Sequence, residues 1–429
     1  MKKVIISALV VGLLGIGAWA GAGVYAGFKV EQALITFLEQ PATQTPIRIV
    51  DFKHDRGLMV SSGQFTVHYA DPNAKGDQRP ELVSAIMNYE VDHHVAQSHL
   101  ATFTWRMVPT GDLGDNLKAL FPTPLVVSGQ GDVKWSGATQ TNFVAPALRY
   151  EQGADLLAFG PWQGNLMLHG ALFNWQISSP SFEMKSEETF LNVQNLALNV
   201  QLSDRFTGVG TSTFTVDALA FPTTQAQGLA FNARNAIENE RLNLALEKTI
   251  KKLDFSGQVV TDVDIAFELN NLNQKSVEAL SAVLNEAGNF DNLTPAQKQI
   301  VQSAVRQIVQ DGFKMSIPKL LAKTDRGQIA GDSVFEVLQS DGSKPEFDAA
   351  KQIKAEGKLL VARSVLPAEY EGLAQMLGLA TRTEAGLQSQ FSLLNGNLIV
   401  NGRNIVVDKQ LNQLSQAVSS FLAQWWNVF

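Results

Sequence analysis

The chain has 429 residues, a formal net charge of −7, 45% apolar and 17% charged residues, and no cysteine. That apolar content builds a large core and excludes a disordered chain, while an acidic balance with no basic block excludes nucleic acid as a partner. The absence of thiols excludes disulfides, thiolate metal sites and cysteine nucleophiles, and it fits an oxidising compartment such as a bacterial periplasm.

Lys2 and Lys3 precede Val4–Phe28, a run without charge. At about 1.5 Å per residue it reaches roughly 37 Å, enough to span a hydrocarbon core of about 30 Å with some tilt. The positive-inside rule leaves the N-terminus in the cytoplasm and sends the bulk of the chain across. Residues 1–28 therefore read as a transmembrane anchor; Ala18-Trp19-Ala20 makes a cleaved signal peptide the alternative. Gly17 and Gly21, with Gly23 and Gly27, have the spacing that lets two membrane helices approach closely, which points to a homo-oligomer. Residues 29–46 read as a stalk, a polar helical extension stopped by Pro41 and Pro46.

From Ile47 the period becomes two, as in half-buried strands. Strand-like runs recur at Ile86–Val95, Leu100–Val108, Leu125–Trp135, Asn142–Tyr150, Leu166–Ser178, Leu191–Leu202, Thr211–Leu219, Leu242–Glu247 and Val259–Leu269. Their regular spacing makes residues 47–272 an antiparallel β region. Residues 273–312 read as a helical hairpin: Val277, Leu280 and Leu284 recur at helical spacing, then Thr294 caps a second helix opened by Pro295 and closed at Gly312. Its apolar stripe is expected to pack on the sheet. Residues 313–429 form a β/α region, with strands at Lys314–Leu320, Gln328–Leu338 and Lys358–Arg363, a helix at Pro367–Leu377, and Asn395-Gly396 turning between two β-prone runs. Leu411, Leu414, Val418, Phe421, Leu422 and Trp425 predict an apolar C-terminal helix, and Phe421, Trp425, Trp426 and Phe429 are candidates for interaction with the sheet, a partner or a membrane surface. The fold class expected is mainly β (α+β): a transmembrane helix, then a large, elongated antiparallel sheet with a helical hairpin and a C-terminal helix.

No constellation carries catalysis. Asp92-His93-His94 with His99 invites zinc, but six residues along one strand is about 20 Å, beyond one ion's reach unless the chain turns. Ser316-Ile317-Pro318-Lys319 has the spelling of a Ser-x-x-Lys nucleophile, yet lies in a strand-like segment where serine and lysine are not stacked by a helical turn. Gly129-Gln130-Gly131 reads as a turn, and no phosphate loop or nucleophile elbow is present. No catalytic, metal or cofactor residues are assigned.

The glycine-rich anchor, then His54-Asp55-Arg56-Gly57-Leu58-Met59-Val60-Ser61-Ser62, Val91-Asp92-His93, and Asn395-Gly396 through Asn401-Gly402, taken in order, resemble the bacterial YdgA-like family, domain of unknown function 945. His94 and Val95 depart from that family, which places turn formers there. The resemblance implies a single-pass inner-membrane protein with a large periplasmic part, self-associating, and supplies no activity. The function expected is a non-enzymatic envelope scaffold or a binder of lipid or another hydrophobic ligand. An oligomeric adaptor for an envelope protein partner is the alternative, ahead of an envelope hydrolase.

Overall fold

The computed structural model describes residues 47–413, apart from 57–59, 71–80, 94–98, 188, 206, 288–292, 341–346, 366–367, 408 and 412. The segments expected to be an anchor and a stalk, residues 1–28 and 29–46, with Gly17, Gly21, Gly23 and Gly27, and the aromatics Phe421, Trp425, Trp426 and Phe429 lie outside the described residues. Among the described residues no helix is long and apolar enough to cross a membrane. The chain is mainly β, with antiparallel strand pairs and few helices, and it divides into two compact units, Met1–Pro222 and Thr223–Phe429.

In the first unit, β1 (Ile47–Arg56), β2 (Val60–Ala70), β3 (Glu81–His93), β4 (His99–Thr110), β5 (Val127–Lys134) and β6 (Thr139–Ala145) form an antiparallel meander. The next neighbour of β6 is β9 (Trp162–His169), followed by β10 (Leu172–Lys185), β11 (Phe190–Asp204) and β12 (Val209–Ala220). The hairpin of β7 (Leu148–Gln152) and β8 (Asp155–Phe159) pairs through β8 with the far half of β10. Two runs that read as single strands are each broken in two. Pro146, which has no N–H for a ladder, separates β6 from β7, and Gly170, at φ 58°, turns β9 into β10.

One face of β2–β6 is closed over by the helix α1 (Gly111–Leu120) and by β7–β8: Phe65, Met87, Phe103, Trp105, Val127 and Val133 meet Leu113, Leu117, Phe121 and Leu148. Gly129 and Gly131 belong to β5, not to a turn. Each lies opposite a large ring, Trp105 and Phe103 respectively, and a side chain at either glycine would occupy the ring's space. Trp105 uses that opening to donate its indole N–H to Thr141 Oγ1 at 3.1 Å. Backbone without a side chain is thus what lets the aromatics lie flat across the ladder.

The second unit is a meander of β13 (Thr224–Glu238), β14 (Arg241–Phe255) and β15 (Gln258–Asn273), then β16 (Phe313–Thr324), β17 (Gly327–Val337) and β18 (Ile353–Val361). Two helices, α2 (Gln274–Ala287) and α3 (Pro295–Asp311), stand between β15 and β16. α3 begins with a reciprocal capping box, in which Thr294 Oγ1 accepts the Gln297 N–H and Gln297 Oε1 accepts the Thr294 N–H. The expected packing of this pair onto the sheet is only partly found: Val283, Leu293 and Val301, with Leu280 and Val305, make a cluster of their own, and Val309 reaches the sheet's core. After α4 (Ala349–Gln352) and β18 come α5 (Ala368–Met376), β19 (Thr381–Arg382), β20 (Leu387–Leu394), β21 (Asn397–Val400) and β22 (Arg403–Ile405). Asn395 and Gly396 (φ 50° and 79°) and Asn401 and Gly402 (φ 48° and 79°) both adopt the left-handed backbone that two-residue hairpin turns demand.

Candidate functional site

Residues directly opposite each other in an antiparallel pair share a face, and successive residues alternate faces, so the register sorts the side chains of the second unit. One cross-strand row reads Phe231, Lys248, Ile265, Leu320, Gly331, Leu359. Another on the same face reads Leu244, Leu269, Met315, Phe335, Ala355, Leu393. Leu246 and Phe267 lie between them. At one end this apolar face is covered, where Val337, Ile353 and Phe313 meet Phe347, Ala349 and Leu411. Away from that end it is open: Phe231 is 40% exposed, Leu246 36%, Met315 38% and Leu359 39%.

The opposite face is polar, and its charges neutralise one another. Lys319 pairs with Asp264, Lys323 with Asp262 at 3.0 Å, and Lys358 with Asp332 at 3.1 Å. The Asp264 carboxylate, by hydrogen bond and then by charge, raises Lys319 above its ordinary 10.5. Ser316 Oγ donates to Glu268 at 3.3 Å, so Ser316 and Lys319 serve two different carboxylates of β15 and make no nucleophile pair. A depression of about 630 Å³ opens on this polar side between β17 and β22, lined by Glu336, Lys354, Glu356, Ser392, Asn397 and Asn404 among others. Its mixture of opposite charges and amides offers no convergent set of groups.

A polar knot ties the helix pair to the sheet. Asp311, at the end of α3, accepts from Arg241 and Asn273 at 2.7 Å each on one oxygen and from Gln307 at 2.7 Å on the other. Burial pushes the Asp311 carboxyl up, but the hydrogen bonds from Asn273, Arg241 and Gln307 and the Arg241 charge outweigh it and hold it below its ordinary 3.8. Asn273 meanwhile accepts the Ser276 N–H at 3.0 Å and so caps the start of α2.

Among the described residues the histidines do not converge. His93 ends β3 and His99 begins β4, neighbouring antiparallel strands, so the chain does turn between them and the reach along one strand does not apply. His94 lies outside the described residues. His99 Nε2 stands 3.6 Å from Asp132, and His54 Nδ1 shares a 2.8 Å hydrogen bond with the Tyr89 hydroxyl, which crosses above Gly63. Among the described residues no group of three or more histidines and carboxylates is placed to hold a metal.

Sequence reading missed the strand that carries Phe231. Leu229, Phe231, Ala233 and Ile237 share one parity there, but Asn235 interrupts the series, Ala230 and Ala236 blur the contrast with the other face, and Gly228 breaks the run at its start. The comparison with known families is decisive on relationship. A family model described as a bacterial protein of unknown function (DUF945) matches residues 1–369. The chain belongs to this family. The DUF945 match takes in the uncharged run Val4–Phe28 and all six strands β13–β18 and stops within α5, ahead of the hairpins β20–β22. No curated protein and no solved structure matches the chain.

Proposed function

We propose that this DUF945 chain is an inner-membrane-anchored protein of the bacterial periplasm that acts without catalysis, by holding a lipid or another apolar ligand on the open face of β13–β18. The observation that carries this reading is the extent of the uncovered face. Scattered exposed hydrophobic residues are ordinary, but contiguous rows across six strands form a patch of the kind that marks a binding surface. Every square ångström of it in water costs about 25 cal/mol, a cost an apolar occupant removes. The Val4–Phe28 run, long enough to span, keeps such a face within reach of a bilayer. The lack of cysteine and the charge pairing on the polar face suit a protein that meets solvent on one side only.

Gentle extraction of the full chain followed by mass spectrometry should find co-purifying lipid, and Phe231→Glu with Leu246→Glu should deplete it. A lipid-free protein whose face is instead crosslinked to a second copy would sink this reading. It would favour the oligomeric adaptor, built on Gly17, Gly21, Gly23 and Gly27 with Phe421, Trp425, Trp426 and Phe429.

A further inference from the structure

The outward side of the first unit's sheet is polar yet almost free of charge. On the face turned away from the buried Thr141 and Leu166, one cross-strand row reads Gln130, Asn142, Asn165, Gln176, Asn199, Thr213. A second row on the same face reads Ser128, Val144, Gln163, Ser178, Ala197, Thr215, and a third runs from Asp132 through Gln140 and Asn174 to Thr211. No register shift falls within these rows, so the alternation of faces holds across β5, β6, β9, β10, β11 and β12. Asp132 is the one charged residue in them, and His99 stands 3.6 Å from it. Asn165 Nδ2 donates to Asn142 Oδ1 at 2.6 Å, one amide bonding another from β9 to β6. Over the second row lies a depression of about 370 Å³, lined by Val144, Trp162, Gln163, Ser178, Asn195 and Ala197 among others. Val144 is 55% exposed there, and Trp162 also packs against the core.

We infer that this face binds a neutral glycan, with one sugar seated in the depression and the chain continuing along the amide rows. The inference is independent of the lipid reading, which concerns the other unit. A sugar offers neighbouring hydroxyls at its edge and C–H groups on its faces. Side-chain amides present a donor and an acceptor together, as paired hydroxyls require, and Val144 with Trp162 gives a C–H face an apolar seat. A charged ligand would find one carboxylate, already beside His99, and no cation in these rows. An acyl chain would cover amides and hydroxyls without bonding them, at a cost for each. Water alone satisfies a polar face, but the second unit keeps its polar face in water with charge, as Lys319, Lys323 and Lys358 with their aspartates show. The amide rows do without charge and hold a depression within the size range of small-ligand sites, about 300–1,000 Å³. Five strand spacings of about 4.8 Å from β5 to β12 make about 24 Å, room for a short oligosaccharide.

Calorimetric titration of the full chain, in a detergent without a sugar headgroup, tests this with two neutral oligosaccharides, chitohexaose and cellohexaose, and with the fully deacetylated, cationic form of the first. The wild type should bind at least one neutral chain with a Kd below about 1 mM and the cationic chain at least about tenfold more weakly. Asn142 and Gln163 are both exposed, so Asn142→Ala with Gln163→Ala should leave the fold intact and weaken neutral binding about tenfold, the scale of two lost hydrogen bonds. Hydrogen exchange on the wild type gives a readout that needs no variant: bound sugar should slow exchange in β6, β9, β10 and β11 and leave β13–β18 unchanged. No binding of either neutral chain by the wild type, equal binding of the cationic chain, neutral binding that survives the double alanine variant, or protection confined to β13–β18 overturns the inference. Crosslinks that join two copies through these rows and persist when sugar is added would give the face to a second copy and overturn it as well.

Discussion

Phe103 in β4 and Phe231 in β13 both sit mid-strand on the apolar face of an antiparallel meander, Phe103 between its partners on β3 and β5 and Phe231 opposite Lys248 of β14. Phe103 is 2% exposed, under a second layer supplied by α1 and β7–β8, and Phe231 is 40% exposed, with no such layer over it among the described residues. The same alternating chemistry therefore serves two ends. Where an insertion between strands folds back over the sheet the face becomes core, and where the insertion forms a helix pair that packs mainly on itself, as α2 and α3 do, the face is left open.

The most severe way to break the comparison is to truncate both rings. Phe103→Ala should cost about 3–5 kcal/mol, the usual range for a large buried aromatic, because Gly131 opposite it cannot fill the gap. Phe231→Ala should cost less than about 1.5 kcal/mol, since much of the ring is already in water. Hydrogen exchange resolved by segment separates the two units: the first change should expose β3–β5, the second should leave β13–β15 protected. Equal losses would mean that the open face is not open.

Next in size is the knot at Asp311. Its carboxyl titrates below 3.8 in the folded protein, so its contribution is complete well above that value and is lost as the pH falls through it toward the folded value. Protection of residues 274–311 should accordingly fall between about pH 5 and pH 2. Asp311→Ala should remove about 2 kcal/mol at neutral pH, the scale of hydrogen bonds to a charged group, and flatten the acid response. A helix pair that loses protection equally in both proteins at low pH would place the acid sensitivity elsewhere.

Smaller still is the effect at the Asn-Gly turns. Asn395→Ala should cost about 1–2 kcal/mol, because alanine lacks the local hydrogen bonding that lets asparagine tolerate positive φ. Protection lost in β20 and β21 but kept in β13–β15 would confirm that the cost is local. This turn was legible in the sequence from two residues, as was the α3 cap from Thr294 and Pro295, because the physical cause of each is local. α1 was not: Gly111 and Gly114 dilute a helical pattern of fewer than three turns. The second glycine is there because a side chain would strike the Pro109 carbonyl, a contact the sequence alone does not reveal. Nor was the openness of the second face legible, since alternation marks only the apolar side of a strand and the placement of a second layer is what separates Phe103 from Phe231.

The smallest expected effect on stability concerns the lysines, and it sharpens the comparison between the two faces of one sheet. Lys358 and Asp332 form an exposed pair at 3.1 Å, so Lys358→Gln should cost no more than about 0.5 kcal/mol, the ordinary worth of a solvent-screened ion pair. Lys248→Gln removes a cation that has no partner among the described residues, and should leave stability unchanged or raise it slightly. The two substitutions are chemically identical and lie on strands of the same meander, so a thermal melt alone will barely distinguish them. What separates them is the face: the polar-face change should leave lipid retention untouched, while the apolar-face change should raise it slightly, because an acyl chain laid over Lys248 has a charge to desolvate and over glutamine has none. Equal retention in the two variants would mean that the occupant stops short of Lys248, and leave its place among Phe231, Leu246 and Ile265 without a role.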